Sequence, residues 1–205
     1  GPGLGAGEPP APLEGEANVP GALSKGEPWR QLQAFDGLVV LDADGLNRLS
    51  AMAEGIPGSA ESAIAWLRER SGPTWITPHA GEFGRLFPEL AEIPPLEAAA
   101  AAAHSSGAAV LLKGAHSVVA APDGRRWQVL QACPQAARAG LGDVLAGFAA
   151  GRGAMAMTAG PPDAALLAAA ALEHALAGME CLRRRGPGGV TPMAVGRALM
   201  KKPTP

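Results

Sequence analysis

The chain has 205 residues, with 17 Lys and Arg against 19 Asp and Glu and a formal net charge of −2. That length fits one domain, and the charge balance supplies no basic stripe of the kind nucleic acid requires. Hydrophobic residues make up 47 % but aromatic ones only 4 %, with no Tyr, so the expected core is one of small, Ala-rich elements in close approach. Two cysteines, Cys133 and Cys181, make no disulfide framework and read as buried thiols in a reducing, cytoplasmic setting. The longest apolar stretch starts at Ala164 and is interrupted by Glu173 and His174. It falls short of the roughly 18 uninterrupted apolar residues of a membrane span, and no membrane partner is expected.

In chain order, a Gly-rich turn, GPGLG (1–5), precedes a Gly-, Pro- and Glu-rich segment (6–28) that reads as a flexible surface loop. Leu38–Leu41 is a short apolar run suited to a strand buried on both faces. Residues 60–70 carry an amphipathic helical pattern stopped by Gly72 and Pro73, and 74–87 read as strand, turn and helix. Pro94 and Pro95 open an Ala-rich helix that Gly107 closes. A third buried strand lies in 108–114, and 116–130 form a hairpin around Asp123 and Gly124. A glycine loop runs into a helix over 138–151, Asp163 caps a long helix to about Arg185, and Thr191-Pro192 starts a last short one. The Arg183–Arg185 run reads as a solvated helix end, and Met155, Met157, Met179, Met193 and Met200 read as ordinary packing. Strands alternating with helices imply a largely parallel sheet covered by helices, with ligands beyond the carboxyl ends of the strands.

Four motifs collect at those ends. In AGLGDVLAG (139–147) small residues let the backbone approach a ligand, and the helix that follows offers free N–H groups and a positive dipole end suited to phosphate. Asp143 in its first turn is either an acid that stabilises the helix end or a general base beside a phosphate. In TPHAGEFGRL (77–86) His79 and Glu82 are three apart: they share a site, or they are a surface histidine and a capping glutamate. His-x-x-Glu alone specifies no metal. In LLKGAHSVV (111–119) Lys113, held by a carbonyl or carboxylate, can reach a phosphate, or simply snorkels; His116 reads as a solvated turn residue. In LDADGLNRL (41–49) Asp42, Asp44 and Asn47 can orient waters on magnesium or cap the next helix.

Read together, GPGLG (1–5), DADGLN (42–47), TPHAGE (77–82), KGAHS (113–117) and GLGDVLAG (140–147) resemble the motif series of the ADP- or ATP-dependent NAD(P)H-hydrate dehydratases, within the ribokinase-like superfamily. The resemblance implies an α/β, ribokinase-like three-layer fold with a mostly parallel central sheet. It spans 1–205 as the C-terminal part of one domain and is incomplete at the N-terminus. The implied activity is a hydro-lyase reaction that repairs hydrated NADH or NADPH by phosphorylating the ring hydroxyl and eliminating phosphate. ADP or ATP and Mg2+ are the implied cofactors. The implied assembly is a homo-oligomer, fused in many relatives to an epimerase domain. By the same resemblance Asp143 is the base and binds substrate, and Gly140 and Gly142 bound the anion hole. Gly3 and His79 contact the hydrated dinucleotide. Lys113, Gly114, Ala115, His116, Ser117 and Gly142 contact the nucleotide, and Glu82 acts indirectly on magnesium.

The sequence departs from the family pattern in places. Leu141 replaces a Thr in the anion-hole loop, whose function rests on backbone N–H groups. Ser117 replaces Thr and keeps the hydroxyl, and Gly45 replaces Ala. The segment before Asp143 lacks an Asn- and Gly-rich run. Two other readings share the glycine loop: a superfamily kinase acting on a vitamin precursor, which usually carries Asn where His79 stands, and a non-catalytic nucleotide-binding remnant.

Overall fold

The computed structural model describes residues 27–51, 59–131, 133 and 138–200. Gly3 and most of the 6–28 segment lie outside them. That segment's last two residues are not loop: Glu27 opens a helix, α1 (Glu27–Ala34), whose Trp29 and Leu32 pack against the core.

The elements follow as β1 (Val39–Leu41), α2 (Ala43–Ala51), α3 (Ser59–Arg68), β2 (Thr74–Ile76), α4 (Ala80–Leu86), α5 (Pro95–Ser106), β3 (Ala109–Leu112), β4 (Val118–Ala120), β5 (Arg126–Gln128), α6 (Leu141–Ala156), α7 (Ala164–Arg185) and α8 (Pro192–Met200). The strands form one sheet in the order β1-β2-β3-β4-β5. The expected parallel character holds for β1, β2 and β3. β4 and β5 run antiparallel, because the connections into and out of β4 are too short for a parallel crossover.

Strand residues alternate between two cores, as the period of two requires. Ile76, Val110, Leu112, Val118 and Ala120 face a core closed by α2 to α5. Trp75, Ala109, Leu111, Val119 and Ala121 face the opposite core, closed by α6 and α7. Both faces are covered over β1 to β4, which read as apolar runs rather than alternating ones, whereas the edge strand β5 alternates, with Arg126 and Gln128 exposed about Trp127. A third cluster joins Leu141 of α6, Ala177 and Cys181 of α7, and Val195 and Leu199 of α8.

Small residues set the spacing of these layers. In α5 Ala98, Ala99, Ala102 and Ala103 are buried, and Gly107 ends the helix at φ +70, a conformation that favours glycine. A Cβ on Gly153 of α6 would collide with Leu38 and meet the Trp75 ring at 3.0 Å, so α6 can lie this close to the sheet only with glycine there. By length and apolarity α7 would pass for a membrane span, yet its Leu167, Ala170, Ala171 and Ala177 are buried in two of the cores.

The methionines do not all pack as expected. Met155, Met179, Met193 and Met200 are exposed, because they fall on the helix faces opposite Ala149, Ala177 and Val195, which carry the buried stripe. Arg70, which no sequence pattern marks, is buried: its guanidinium donates to Thr74 Oγ1 at 3.0 Å and to the Gly37 carbonyl at 2.8 Å, and it also reaches the Leu32 carbonyl. It ties α1 to the segment entering β1.

Candidate active site

The carboxyl ends of β1, β2 and β3 deliver Asp42, His79 and Lys113 side by side. His79 and Lys113 form an isolated parallel bridge, and the Lys113 N–H donates to the Pro78 carbonyl at 2.8 Å. The Lys113 ammonium reaches across to Asp42, donating to Oδ1 at 2.6 Å with both side chains mostly buried. The expected anchor of Lys113 is therefore a carboxylate, supplied from a strand 71 positions away. The residue after Asp42, Ala43, has φ +42, a conformation that costs a non-glycine residue about 1–2 kcal/mol. The backbone is strained at the turn that aims Asp42.

The N-terminus of α6 faces this pair. Gly140 is its N-cap, at φ +84 and without a side-chain cap. Leu141 N–H donates to the Arg138 carbonyl and Val144 N–H to the Gly140 carbonyl, while among the described residues the N–H groups of Gly142 and Asp143 find no backbone acceptor. N–H groups without a backbone acceptor, together with the dipole of a 16-residue helix, are features that suit an anion. A Cβ on Gly142 would sit 3.4 Å from Lys113 Nζ and 3.8 Å from Asp42 Oδ2, so the first turn of α6 and the Lys113–Asp42 pair are in near contact. Asp143 lies exposed in that same turn.

His79 and Glu82 are tied to each other. His79 is the N-cap of α4, and its Nδ1 accepts from the N–H groups of Gly81 at 3.0 Å and Glu82 at 3.3 Å. Glu82 Oε2 accepts from the His79 N–H at 2.9 Å, and Oε1 lies 3.3 Å from His79 Nε2. This is a reciprocal capping box, so the capping role weighed for Glu82 is realised. His79 Nδ1 is spent as an acceptor, and Nε2 is left to donate. Glu82 is buried with both oxygens facing His79, so it can influence a metal only through other groups. Among the described residues no three His, Cys, Asp or Glu side chains gather as metal ligands. Asn47 Oδ1 accepts from Arg85 at 2.6 Å, and Asp44 is exposed in the first turn of α2.

Between these elements lies a cavity of about 560 Å³. His79, Lys113, Gly114, Ala115, Ser117 and Gly142 are among its lining residues. The Ser117 hydroxyl closes the Lys113–Ser117 turn by accepting from the Gly114 N–H at 3.3 Å. His116 is exposed and lies outside the cavity wall, as a solvated turn residue would. Arg138 and His174 also line the cavity. Neither is marked by a motif; the only signal in the sequence is that His174 interrupts an otherwise apolar helical stripe.

Comparison with known proteins adds an independent line. The sequence profile of the NAD(P)H-hydrate dehydratase family matches residues 1–201. The bifunctional NAD(P)H-hydrate repair enzyme of Gloeobacter violaceus is 43 % identical over 142 residues, covering 69 % of this chain and 25 % of that protein. The Synechocystis enzyme of the same name is 42 % identical over 113 residues, covering 55 % and 20 %. The chain thus spans about a quarter or less of these curated relatives. Among solved structures, the ADP/ATP-dependent NAD(P)H-hydrate dehydratase of Bacillus subtilis, co-crystallised with ATP and Mg2+, superposes with a TM-score of 0.58 at 20 % identity, over 84 % of this chain and 68 % of that one. A ribokinase-like superfamily protein from Enterococcus faecalis gives 0.55 at 22 % identity, over 79 % and 61 %. The layered sheet is thus that of the ribokinase-like fold. With the motifs in the expected order and a profile match over nearly its whole length, the chain belongs to the NAD(P)H-hydrate dehydratase family.

Proposed function

We propose that the protein dehydrates hydrated NADH or NADPH with ADP or ATP as phosphoryl donor. One observation carries this reading: a fixed ammonium, Lys113 Nζ, lies beside the first turn of α6, whose Gly142 and Asp143 N–H groups find no backbone acceptor among the described residues. Two independent attractors of anionic oxygen meet there, as phosphoryl transfer requires. The names of the relatives, which describe repair of hydrated NAD(P)H, supply the substrate class.

In this reading the ring hydroxyl of the hydrate attacks the terminal phosphoryl of the nucleotide. Asp143 accepts the hydroxyl proton as the new P–O bond forms and the old one breaks. The Gly142 and Asp143 N–H groups receive the charge that builds on the phosphoryl oxygens, and Lys113 adds a cation that Asp42 keeps in place. Loss of phosphate, with a proton from the neighbouring ring carbon, restores the double bond. The Lys113–Ser117 turn carries the donor nucleotide, with Gly114 and Ala115 in the cavity wall and His116 on the solvent side. His79 contacts the hydrated dinucleotide, and the same role is assigned to Gly3, which lies outside the described residues.

A magnesium ion carried on the donor's phosphates would neutralise part of their charge. The acidic groups fit such a shared ion better than a protein-only cage. Asp42 Oδ2, the oxygen not bonded to Lys113, faces Gly142, and Glu82 acts indirectly through His79. The relatives are named as bifunctional repair enzymes, which supports a companion activity; our reading assigns it to an epimerase domain and sets the protein in the cytoplasm.

The direct test incubates the protein with hydrated NADH and ADP and follows the near-ultraviolet absorbance of the restored dihydronicotinamide. Recovery of absorbance with release of phosphate is expected. No recovery with either ADP or ATP overturns the reading, and phosphorylation of a vitamin-precursor alcohol in its place would favour the kinase alternative.

A further inference from the structure

His174 plays no part in the reaction just derived, yet it lines the cavity from the middle of α7 and is only 8 % exposed. Its Nε2 is buried and has no hydrogen-bond partner among the described residues. The ring does bond the backbone of Leu141, in a sense that favours the protonated form, which is the sense of a donor to a carbonyl. Since Nε2 is unpartnered, the donor is Nδ1. Burial holds the imidazole below its ordinary value, so the ring is neutral at neutral pH. A neutral imidazole with its proton on Nδ1 presents Nε2 as a bare lone pair.

A buried acceptor with no donor is costly and is rarely left so without a reason. The surroundings say what kind of donor would satisfy it. Val129, Leu145, Ala171 and Ala175 make apolar walls of small or flat reach, whereas Lys113 and Arg138 bring the positive charge. A ligand that fills this space carries anionic groups at one part and a flat, weakly polar ring at another. It must also present an N–H or O–H to His174. The apolar walls suit a base better than a sugar.

We infer that His174 Nε2 accepts a hydrogen bond from the exocyclic amino group of the nucleotide's base, and that the cavity thereby selects a 6-aminopurine. This rests on the reading that the phosphoryl donor occupies the cavity. An inosine nucleotide carries a carbonyl oxygen at that position, and two acceptors would face each other with no proton between them. The same residue, through Nδ1, steadies the loop whose N–H groups meet the phosphoryl, so base recognition and the anion site share one side chain.

The test compares ADP and IDP binding by calorimetry in the wild-type protein, in His174→Leu and in His174→Gln, with 2′-deoxy-ADP as a sugar control. The wild type is expected to bind ADP about tenfold or more tightly than IDP and to bind 2′-deoxy-ADP as it binds ADP. In His174→Leu the ratio should fall towards one, chiefly through weaker ADP binding, and His174→Gln, which keeps an acceptor, should retain part of it. Equal wild-type affinity for ADP and IDP overturns the inference without any variant having to fold. So does a preference that survives in His174→Leu, or a selectivity against the 2′-deoxy sugar that the substitution erases. If ADP fails to bind the wild type at all, the donor reading itself falls, and this inference with it.

Discussion

Lys113 Nζ donates to Asp42 Oδ1 at 2.6 Å, joining the carboxyl end of β3 to that of β1 across the intervening β2. The pair is mostly buried and borders the first turn of α6. Removing one member leaves the other charge partly desolvated and unpaired. Asp42→Asn is therefore expected to cost about 1–3 kcal/mol of stability, read from urea denaturation. It should also lower kcat/KM by at least about tenfold, because Lys113 loses its aim. A variant as stable and as active as the wild type would remove Asp42 from the site.

Asp143 separates chemistry from folding more cleanly, because it is exposed and bonds no other side chain among the described residues. Asp143→Asn is expected to leave the melting temperature nearly unchanged and to lower kcat by roughly a hundredfold or more. Activity close to that of the wild type would return Asp143 to the simpler role of an acid at a helix end. Gly142→Ala is the companion experiment. Alanine favours a helix by up to about 1 kcal/mol over glycine, but its Cβ would press to 3.4 Å from Lys113 Nζ. Stability should hold while nucleotide affinity falls, as titration calorimetry would record.

Gly153 tests the packing far from the site. An alanine there would drive a methyl into Leu38 and against the Trp75 ring, and overpacking of this kind costs about 1–3 kcal/mol. Denaturant midpoints should fall while KM for the nucleotide stays put. An unchanged midpoint would mean that α6 can lift from the sheet at no cost.

The fifth prediction concerns pH. Burial, only partly offset by the Leu141 hydrogen bond, holds His174 below its ordinary value of 6.5. As pH falls past that value the unfolded chain takes up a proton before the folded one does, so stability rises with pH across the window between the two values. The contribution is complete above the ordinary value and is lost as pH drops towards the folded one. Melting temperature should therefore decline as pH falls below the ordinary value of 6.5, and His174→Leu should flatten that slope. Asp123 and Asp163 are held low by hydrogen bonds to Arg125 and to backbone N–H groups. They titrate below their ordinary 3.8, outside this window. A slope unchanged by the substitution would contradict a buried neutral His174.

The sequence by itself determined the order of strands and helices from β1 onward, the hairpin at Asp123 and Gly124, the αL stop at Gly107, and the gathering of four motifs at one edge of the sheet, whereas α1 went unread. Each of these is local: an apolar run, a turn residue, a cap and a neighbouring period carry it within a dozen positions. Only the tertiary structure decided what the motif residues touch. A lysine and an aspartate 71 positions apart have no periodic relation, so the partner of Lys113 had to await the strand order. Whether Glu82 faces a metal or caps a helix depends on which way one turn closes, and here it closes on His79. His174 reads in the sequence only as a break in an apolar stripe. Its buried nitrogen, without a partner among the described residues, sits where α7 packs beside the loop that starts α6, and that contact is long-range. Local chemistry chose the elements, and burial and distance between remote segments chose their partners.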